Sequence, residues 1–229
     1  MVSQNLTQEL LEKYEFHNYG HALEILETAY PEEWHELQIC LLKLQLSLDD
    51  LRVSGGNESP IPKKFDDVLY PSGWREIRIT GDLVIRKYPR QTAQRRGKFS
   101  DKPFEKTVIE GYVDGHNIDF LKNEVAFDLE WNSKDQTFDR DLLAMRTYFD
   151  CGIIKVGVIV TRSEELNEIF KKEKDANGQP LMRKYGASTT WMGKLLPRLD
   201  SRRNGGCPIL AIGIRKECVE GYGRSEEHD

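Results

Sequence analysis

The amino-acid sequence predicts an α/β fold, in which helices flank a central mixed β-sheet. Three strand-like segments in the second half of the chain support this prediction: residues 124–131, 153–161 and 208–214. Each is rich in Val, Ile, Leu or Phe, and segments with helical periodicity separate them. Strands that alternate with helices are typical of an α/β core.

The first part of the chain is mainly helical by its pattern. Residues 19–51 are predicted to be helical, with a break at Tyr30-Pro31, because proline and acidic residues favour the first turn of a helix. Residues 74–85 alternate weakly and predict one strand, and the basic stretch 86–103 predicts an exposed loop. The other predicted elements of this part are a loop at 54–62 and a short helix at 63–69.

The second part of the chain carries the clearer pattern. Ser163 is a suitable N-cap for a helix that runs to about residue 174. The other predicted elements are strands at 108–113 and 117–120, a turn at 121–123, a helix at 139–150 with Leu142, Leu143, Met145, Tyr148 and Phe149 on its apolar side, and a helix from 188 to about 199 with a break at Pro197.

Composition and length bound the class of protein. The 229 residues suffice for one large domain, and 38% hydrophobic with 31% charged residues is a soluble globular composition. No secretory signal precedes the first helix, and the four cysteines are widely spaced, so we expect a cytoplasmic protein. The net charge of −5 excludes a uniformly basic DNA-coating protein, although residues 86–98 are rich in Lys and Arg and contain no acid.

Acidic side chains interrupt the strand that is predicted at residues 124–131. Successive side chains of a strand point to opposite faces, so Asp128 and Glu130 share one face, with Cα atoms about 6.5–7 Å apart. The short turn at 121–123 brings Asp119 beside Asp128. Three convergent carboxylates repel one another unless a cation neutralises them, and their hard oxygen atoms suit Mg²⁺. The opposite face is apolar and consists of Val125, Phe127, Leu129 and Trp131.

The spacing of these acids also allows a simpler interpretation. Asp128 and Glu130 could lie on the solvated face of an exposed edge strand. The strongly apolar flanks of the segment, and the buried character of the strands that follow, favour a central strand instead.

Asp119 followed by Asp128-Leu129-Glu130 on the next strand resembles the PD-(D/E)xK nuclease core. Four longer stretches, which cover most of the chain from about residue 14, are similar to the BglII/BstYI family of type II restriction endonucleases. They are YGHALEILETAYPEEWHELQ (19–38), SPIPKKFDDVLYPSGWRE (59–76), DFLKNEVAFDLEW (119–131) and RRNGGCPILAIGI (202–214).

This resemblance implies one restriction-endonuclease-like domain over residues 1–229, with a helical part at about 1–70 and a catalytic α/β core at about 74–216. It also implies Mg²⁺-dependent hydrolysis of double-stranded DNA. Asp119, Asp128 and Glu130 would hold the metal, and Glu130 would orient or deprotonate the attacking water. A homodimer, a palindromic target with a GATC core and a cognate DNA methyltransferase follow from the same resemblance.

The chain departs from the family at the two positions of the acid pair. Where the family has Glu and then Gln, this sequence has Asp128 and Glu130, a form closer to the Glu-x-Glu of the BamHI endonuclease. The departure leaves open the number of metal ions and the identity of the general base. A repair or structure-specific nuclease, and a catalytically silent DNA-binding protein of the same fold, are the alternative functions.

Several polar residues are candidates for contact with DNA. Asn132, Ser133 and Lys134 follow the acid-bearing strand, and such side chains can read bases in the major groove, although a plain polar turn is the alternative. Ser188 and Thr189 predict either base contacts or a helix N-cap. The remaining basic candidates are Arg202, Arg203 and the loop at 86–98, which either grips phosphates or is simply solvated.

Overall fold

The computed structural model of the protein describes residues 6–53, 60–91, 97–113 and 116–222. The helices among these residues are α1 (Gln8–Lys13), α2 (Ala22–Ala29), α3 (Pro31–Lys43), α4 (Leu48–Arg52), α5 (Pro60–Leu69), α6 (Thr137–Asp150), α7 (Leu166–Lys172) and α8 (Met192–Asp200). The strands are β1 (Tyr14–Tyr19), β2 (Arg75–Arg78), β3 (Gly81–Lys87), β4 (Glu105–Val113), β5 (Asn117–Lys122), β6 (Val125–Glu130), β7 (Val156–Arg162) and β8 (Ile209–Ile214). No described helix is long and apolar enough to cross a membrane.

The main sheet is mixed and has the order β1-β8-β7-β6-β5-β2. Strands β6, β7 and β8 run parallel, whereas β1 is antiparallel to β8 and β5 is antiparallel to β6. The predicted α/β class with a mixed sheet is therefore confirmed. Strand β6 lies inside the sheet between β7 and β5, and all six of its residues are buried. The edge-strand interpretation of Asp128 and Glu130 is therefore excluded.

The apolar face of β6 belongs to the hydrophobic core, as the alternation predicts. Val125, Phe127, Leu129 and Trp131 join one buried cluster with side chains of β7, β8 and the N-terminal helices. The Phe127 ring lies 5.7 Å from the ring of Phe65 on α5. Burial of one such side chain stabilises the fold by about 1.5–3 kcal/mol.

Helix α6 has its own buried side chains, which include Phe138, Leu142 and Met145. Gly157 of β7 permits a close approach, because an added Cβ atom would lie 2.5 Å from the Met145 sulfur. Leu143, predicted on the apolar side of this helix, is instead 61% exposed. That part of the prediction was wrong, because position 143 lies outside the narrow stripe that faces the core.

Residues 78–117 form a second compact unit. Strands β3 and β4 pair antiparallel in it, with Val84 opposite Val108, and form a two-stranded sheet. Most of its side chains are exposed, including Phe104 and Tyr112. Of the basic stretch 86–98, residues 92–96 lie outside the described residues; Arg90 stacks over the ring of Phe99 at 4.7 Å.

The predictions in the first half need some correction. The predicted strand at 74–85 is two strands in different sheets, because β2 joins the main sheet while β3 pairs with β4. The predicted break at Tyr30-Pro31 is confirmed, since α2 ends at Ala29 and α3 begins at Pro31, but a second break separates α3 from α4. Strand β1 had no sequence signal of its own, since half-buried polar residues occupy it and its pairing with β8 decides its conformation.

Two predicted helix starts also lie elsewhere. Helix α7 begins at Leu166, and the Ser163 hydroxyl accepts a hydrogen bond from the Glu165 amide in the turn before it. Helix α8 begins at Met192, so Ser188 and Thr189 do not cap it. Residues 188–190 instead pair with residues 133–135, a partner that local sequence cannot reveal. Pro197 lies inside α8 and does not end it.

Candidate active site

A tight hairpin between β5 and β6 positions the first two acids. Phe120 faces Phe127 and Lys122 faces Val125 in its antiparallel ladder. Two side chains attach the turn between the strands to α3. The side-chain amide of Asn123 donates to the Glu33 carboxylate, and the Lys122 ammonium lies 2.6 Å from a Glu36 oxygen. Asn123 has φ 50°, a left-handed conformation that Asn tolerates better than most residues.

Next to the last backbone pair of the hairpin, Phe120 and Phe127, the carboxylates of Asp119 and Asp128 link the two strands. The Asp119 amide donates to Asp128 Oδ1 at 2.9 Å, and the Leu129 amide donates to Asp119 Oδ2 at 2.9 Å. The structure thus brings the two predicted acids together on neighbouring strands. Glu130 lies two residues further along β6, with 8% of its surface exposed.

Burial and mutual repulsion perturb the pKa values of these acids. Burial raises the pKa of Asp128 well above its usual range, and the charges of Asp141 and Asp119 raise it further. Burial also raises the pKa of Glu130 to about 8, again with a contribution from Asp141. Hydrogen bonding from Ser133 and the charge of Arg140 oppose this rise. The neighbouring groups therefore do not offset the cost of ionising Asp128 and Glu130.

Asp141 on α6 is a fourth acid that the sequence analysis missed. Its side chain is buried, with 2% exposure, and its charge acts on both Asp128 and Glu130. A sequence signal existed: Asp141 interrupts the buried positions Phe138, Leu142 and Met145 of an amphipathic helix. An acid on the apolar face of a helix has to meet a polar environment.

The chemistry of these side chains suits a hard divalent cation. Carboxylate oxygens are the ligands that Mg²⁺ prefers, and Glu130 Oε2 is a buried acceptor with no hydrogen-bond partner among the described residues. Within the described part of the chain, no three His, Cys, Asp or Glu side chains form a ready metal-binding group. Asp119 and Asp128 each accept a hydrogen bond from a backbone amide with one carboxylate oxygen. The side chains therefore have the chemistry of metal ligands, but they do not converge on one point as a ready metal site would.

A family model described as restriction endonuclease BglII/BglIII matches residues 14–214, which is most of the chain. The chain belongs to this restriction endonuclease family. A search of curated proteins gave no match. The mixed sheet with flanking helices agrees with a restriction-endonuclease-like fold.

This BglII-type endonuclease is accordingly a type II site-specific deoxyribonuclease, a phosphodiester hydrolase that acts on DNA. Members of the family generally use a divalent metal. The matched range includes the β5–β6 hairpin and α6, and therefore all four acids: the half-buried Asp119 and the buried Asp128, Glu130 and Asp141.

Two predicted DNA-contact segments of the endonuclease lie side by side. The Asp135 amide donates to the Ser188 carbonyl at 3.1 Å, and the Thr190 amide donates to the Ser133 carbonyl at 2.9 Å. Lys134 and Thr189 form a bridge between these bonds. We call residues 131–135 and 188–190 the paired segments. The first of them, residues 131–135, follows Glu130 at the carboxyl end of β6.

Side chains of the paired segments differ in their availability. Those of Ser133, Lys134 and Ser188 are exposed. The Thr189 hydroxyl is engaged within the protein, since it donates to the Gly186 carbonyl at 2.7 Å and accepts from Arg162. Asn132 Oδ1 is buried without a hydrogen-bond partner among the described residues.

Arg202 and Arg203 lie in the turn after α8. Arg203 forms an ion pair with Asp139 in the first turn of α6, and Arg198 contacts the same carboxylate at 3.0 Å. These contacts hold the pKa of Asp139 below its usual range, the Arg198 hydrogen bonds most strongly. Arg202 is exposed.

Proposed function

We propose that this endonuclease cleaves double-stranded DNA with Mg²⁺ at the site formed by Asp119, Asp128 and Glu130. One observation carries the proposal: two acids on a fully buried inner strand adjoin a third across a hairpin, and burial together with the charge of Asp141 raises the pKa values of the two strand acids. Buried carboxylates without compensation are destabilising, so they are expected where a cation or a phosphate-bound cation completes the site.

Each acid has a distinct proposed role. Asp119 and Asp128 would hold the ion through their carboxylate oxygens. Glu130, next on the same face of β6, would orient or deprotonate the attacking water. Mg²⁺ bound there would lower the pKa of the attacking water and offset charge on the phosphate. The charge of Asp141 acts on Asp128 and Glu130 and further favours the binding of a cation.

DNA recognition is proposed to use the residues at the end of β6. The exposed side chains of Ser133, Lys134 and Ser188 would face the major groove together with Asn132. The Thr189 hydroxyl, which bonds to Gly186 and Arg162, would hold its segment in place beside them. The basic residues Arg202, Arg203 and those of 86–98 would contact phosphates. The target is proposed to be a palindrome with a GATC core, protected in the cell by a cognate DNA methyltransferase. The predicted cytoplasmic location belongs to the same proposal.

Cleavage of an unmethylated plasmid tests this function directly. We expect the purified protein to convert the plasmid into discrete bands with Mg²⁺ and to leave it intact with EDTA. Sequencing of the run-off ends would give the target. Cleavage only at branches or lesions would support a repair nuclease instead, and binding without cleavage would support a silent DNA-binding protein.

A homodimer is proposed because a two-fold symmetric enzyme matches a palindromic target. The proposed contact in this dimer is Leu143 on α6, an apolar side chain that is 61% exposed. We expect Leu143→Glu to halve the mass measured by light scattering, because a charge on a symmetric apolar contact repels its own copy. Plasmid cleavage should then accumulate nicked circles.

The matched control is Val53→Glu, which charges another exposed apolar residue, 45% exposed, at the end of α4. This variant should keep the mass and the cleavage pattern of the unmodified protein. An unchanged mass for Leu143→Glu would rule out a dimer interface at this position.

A further inference from the structure

Arg162, the last residue of β7, is a buried cation with 1% of its surface exposed. The residues before it on the same face of the strand, Val160, Val158 and Val156, belong to the hydrophobic core. No salt bridge to a carboxylate is found for Arg162 within the described part of the chain. A buried charge without an ionic partner is destabilising unless hydrogen bonds satisfy it.

Backbone and hydroxyl oxygens of two separate segments satisfy the Arg162 guanidinium. Nε donates to the Trp131 carbonyl at 2.8 Å, at the residue that precedes Asn132. Nη2 donates to the Thr190 carbonyl at 2.8 Å and to the Thr189 hydroxyl at 2.6 Å. One planar group therefore binds both paired segments, a geometry that Arg supports and Lys does not.

Aromatic rings hold the guanidinium in this position. The Arg162 Cζ atom lies 5.0 Å from the centroid of the Tyr185 ring, 5.4 Å from that of Phe170 and 6.0 Å from that of Trp131. The rings of Phe170 and Tyr185 are themselves stacked at 4.1 Å. Cation–π attraction offsets part of the cost of burial, and the packed rings leave the side chain little freedom.

The link between Arg162 and the acids is indirect. Thr161, the neighbour of Arg162, points to the opposite face of β7 and donates its hydroxyl to the Glu130 carbonyl at 2.6 Å. Arg162 itself lies on the apolar face, so its guanidinium acts on the paired segments and not on the carboxylates of the site. Its role concerns how the segments are held, not the hydrolysis.

We infer that Arg162 is a positioning residue that fixes the paired segments in one arrangement and thereby sets how strictly the endonuclease discriminates its target sequence. This inference rests on the proposed function, in which the paired segments read the DNA. Two loops that are held independently would tolerate a wrong base pair by shifting. Loops held by one rigid group must keep their spacing, so a mismatch leaves polar groups unpaired.

The test compares Arg162→Met and Arg162→Lys with Tyr185→Phe. The tyrosine variant is the matched control: it loses the buried hydrogen bond from the Tyr185 hydroxyl to the Leu51 carbonyl but keeps the ring beside Arg162. It therefore lowers stability without releasing the paired segments. Arg162→Lys keeps the charge and tests whether the bonds to both segments are needed.

The first measurement is amide hydrogen exchange in the free protein. In Arg162→Met, we expect the Asp135 and Thr190 amides, which join the paired segments, to exchange at least about tenfold faster. Amides of β7 and β8 should keep their protection, and Tyr185→Phe should leave the ratio between the two sets unchanged. In Arg162→Lys, the exchange rates of the Asp135 and Thr190 amides should lie between those of Arg162→Met and those of Tyr185→Phe. Unchanged exchange at Asp135 and Thr190 would overturn the inference.

The second measurement is cleavage of short duplexes. The target from the plasmid run-off ends is compared with duplexes that each carry one changed base pair. We expect Arg162→Met to lower the ratio of kcat/KM for target over changed duplexes by about tenfold or more. Tyr185→Phe should keep this ratio even if all rates fall together. A ratio that Arg162→Met leaves intact would overturn the role in discrimination.

The two measurements separate this inference from the proposed function. If the unmodified protein cut no plasmid at discrete sites, the proposed function and the role in discrimination would both fail. The hydrogen exchange of Asp135 and Thr190 would still decide whether Arg162 holds the paired segments together.

Discussion

Replacement of Asp128 by asparagine is expected to lower the rate of DNA cleavage by at least about 10³-fold, because a metal site contributes several kcal/mol to stabilisation of the transition state. Asparagine keeps a side-chain oxygen that can accept from the Asp119 amide, so the hairpin should stay intact. It removes the charge of a proposed metal ligand on a fully buried strand. Single-turnover cleavage of the plasmid with Mg²⁺ measures the loss.

The matched control for Asp128→Asn is Glu124→Gln, just before the start of the same strand. Glu124 accepts a hydrogen bond from Tyr30 and forms an ion pair with Lys155, at the end of β6 remote from Glu130. Its replacement should leave the cleavage rate almost unchanged. DNA binding by Asp128→Asn should persist in a gel-shift measurement. If Asp128→Asn cut DNA at nearly the original rate, the assignment of the site would be wrong.

The second large effect is expected for Glu130→Gln, which should slow cleavage by about 10²-fold or more if Glu130 is the general base. Glutamine is the residue that the resemblance assigns to the family at this position, so the variant has a suitable size for the site. Near-normal cleavage by Glu130→Gln would show that the water is activated without Glu130. The rate measured against pH distinguishes the two cases, since loss of a base removes the rise in rate with pH.

The same variant should change how stability depends on pH in the absence of metal. Glu130 in the folded protein has a pKa of about 8, raised from an ordinary value of 4.5. Between these values the folded state holds a proton that the unfolded chain has released, so the free energy of unfolding falls as the pH rises. The raised pKa of Asp128 acts in the same direction.

Urea unfolding in EDTA at about pH 5 and about pH 8 measures this dependence. We expect the unmodified protein to lose on the order of a few kcal/mol over this range and Glu130→Gln to lose clearly less. Mg²⁺ should restore stability mainly at the higher pH, because it binds deprotonated carboxylates. Equal losses for the two proteins in EDTA would contradict the buried, uncompensated state of Glu130.

Much of the acid strand could be predicted from local pattern. Alternation along residues 125–131 assigned the apolar side chains to one face and Asp128 and Glu130 to the other, and the short turn predicted the approach of Asp119. These features depend on the two-residue period of a strand and on the reach of a tight hairpin. Both are properties of neighbouring residues, which the sequence contains.

Other predictions failed where distant residues decide the conformation. Residues 74–85 alternate weakly throughout, yet β2 and β3 found partners in different sheets. Ser188 and Thr189 have the composition of a helix N-cap, but hydrogen bonds to residues 133–135 hold them before the helix begins. Local propensity is a weak signal when a tertiary partner offers stronger bonds.

The sequence by itself predicted the fold class through its periodicity and the family through the resemblance of its longer stretches, and the period of a strand placed Asp119, Asp128 and Glu130 on one hairpin. Only the tertiary structure decided that β6 is an inner strand, that Asp141 raises the pKa of its acids and that Arg162 joins the paired segments. Burial and the choice of hydrogen-bond partners depend on residues far apart in the chain. Their consequences for charge and positioning appear only when the chain is folded.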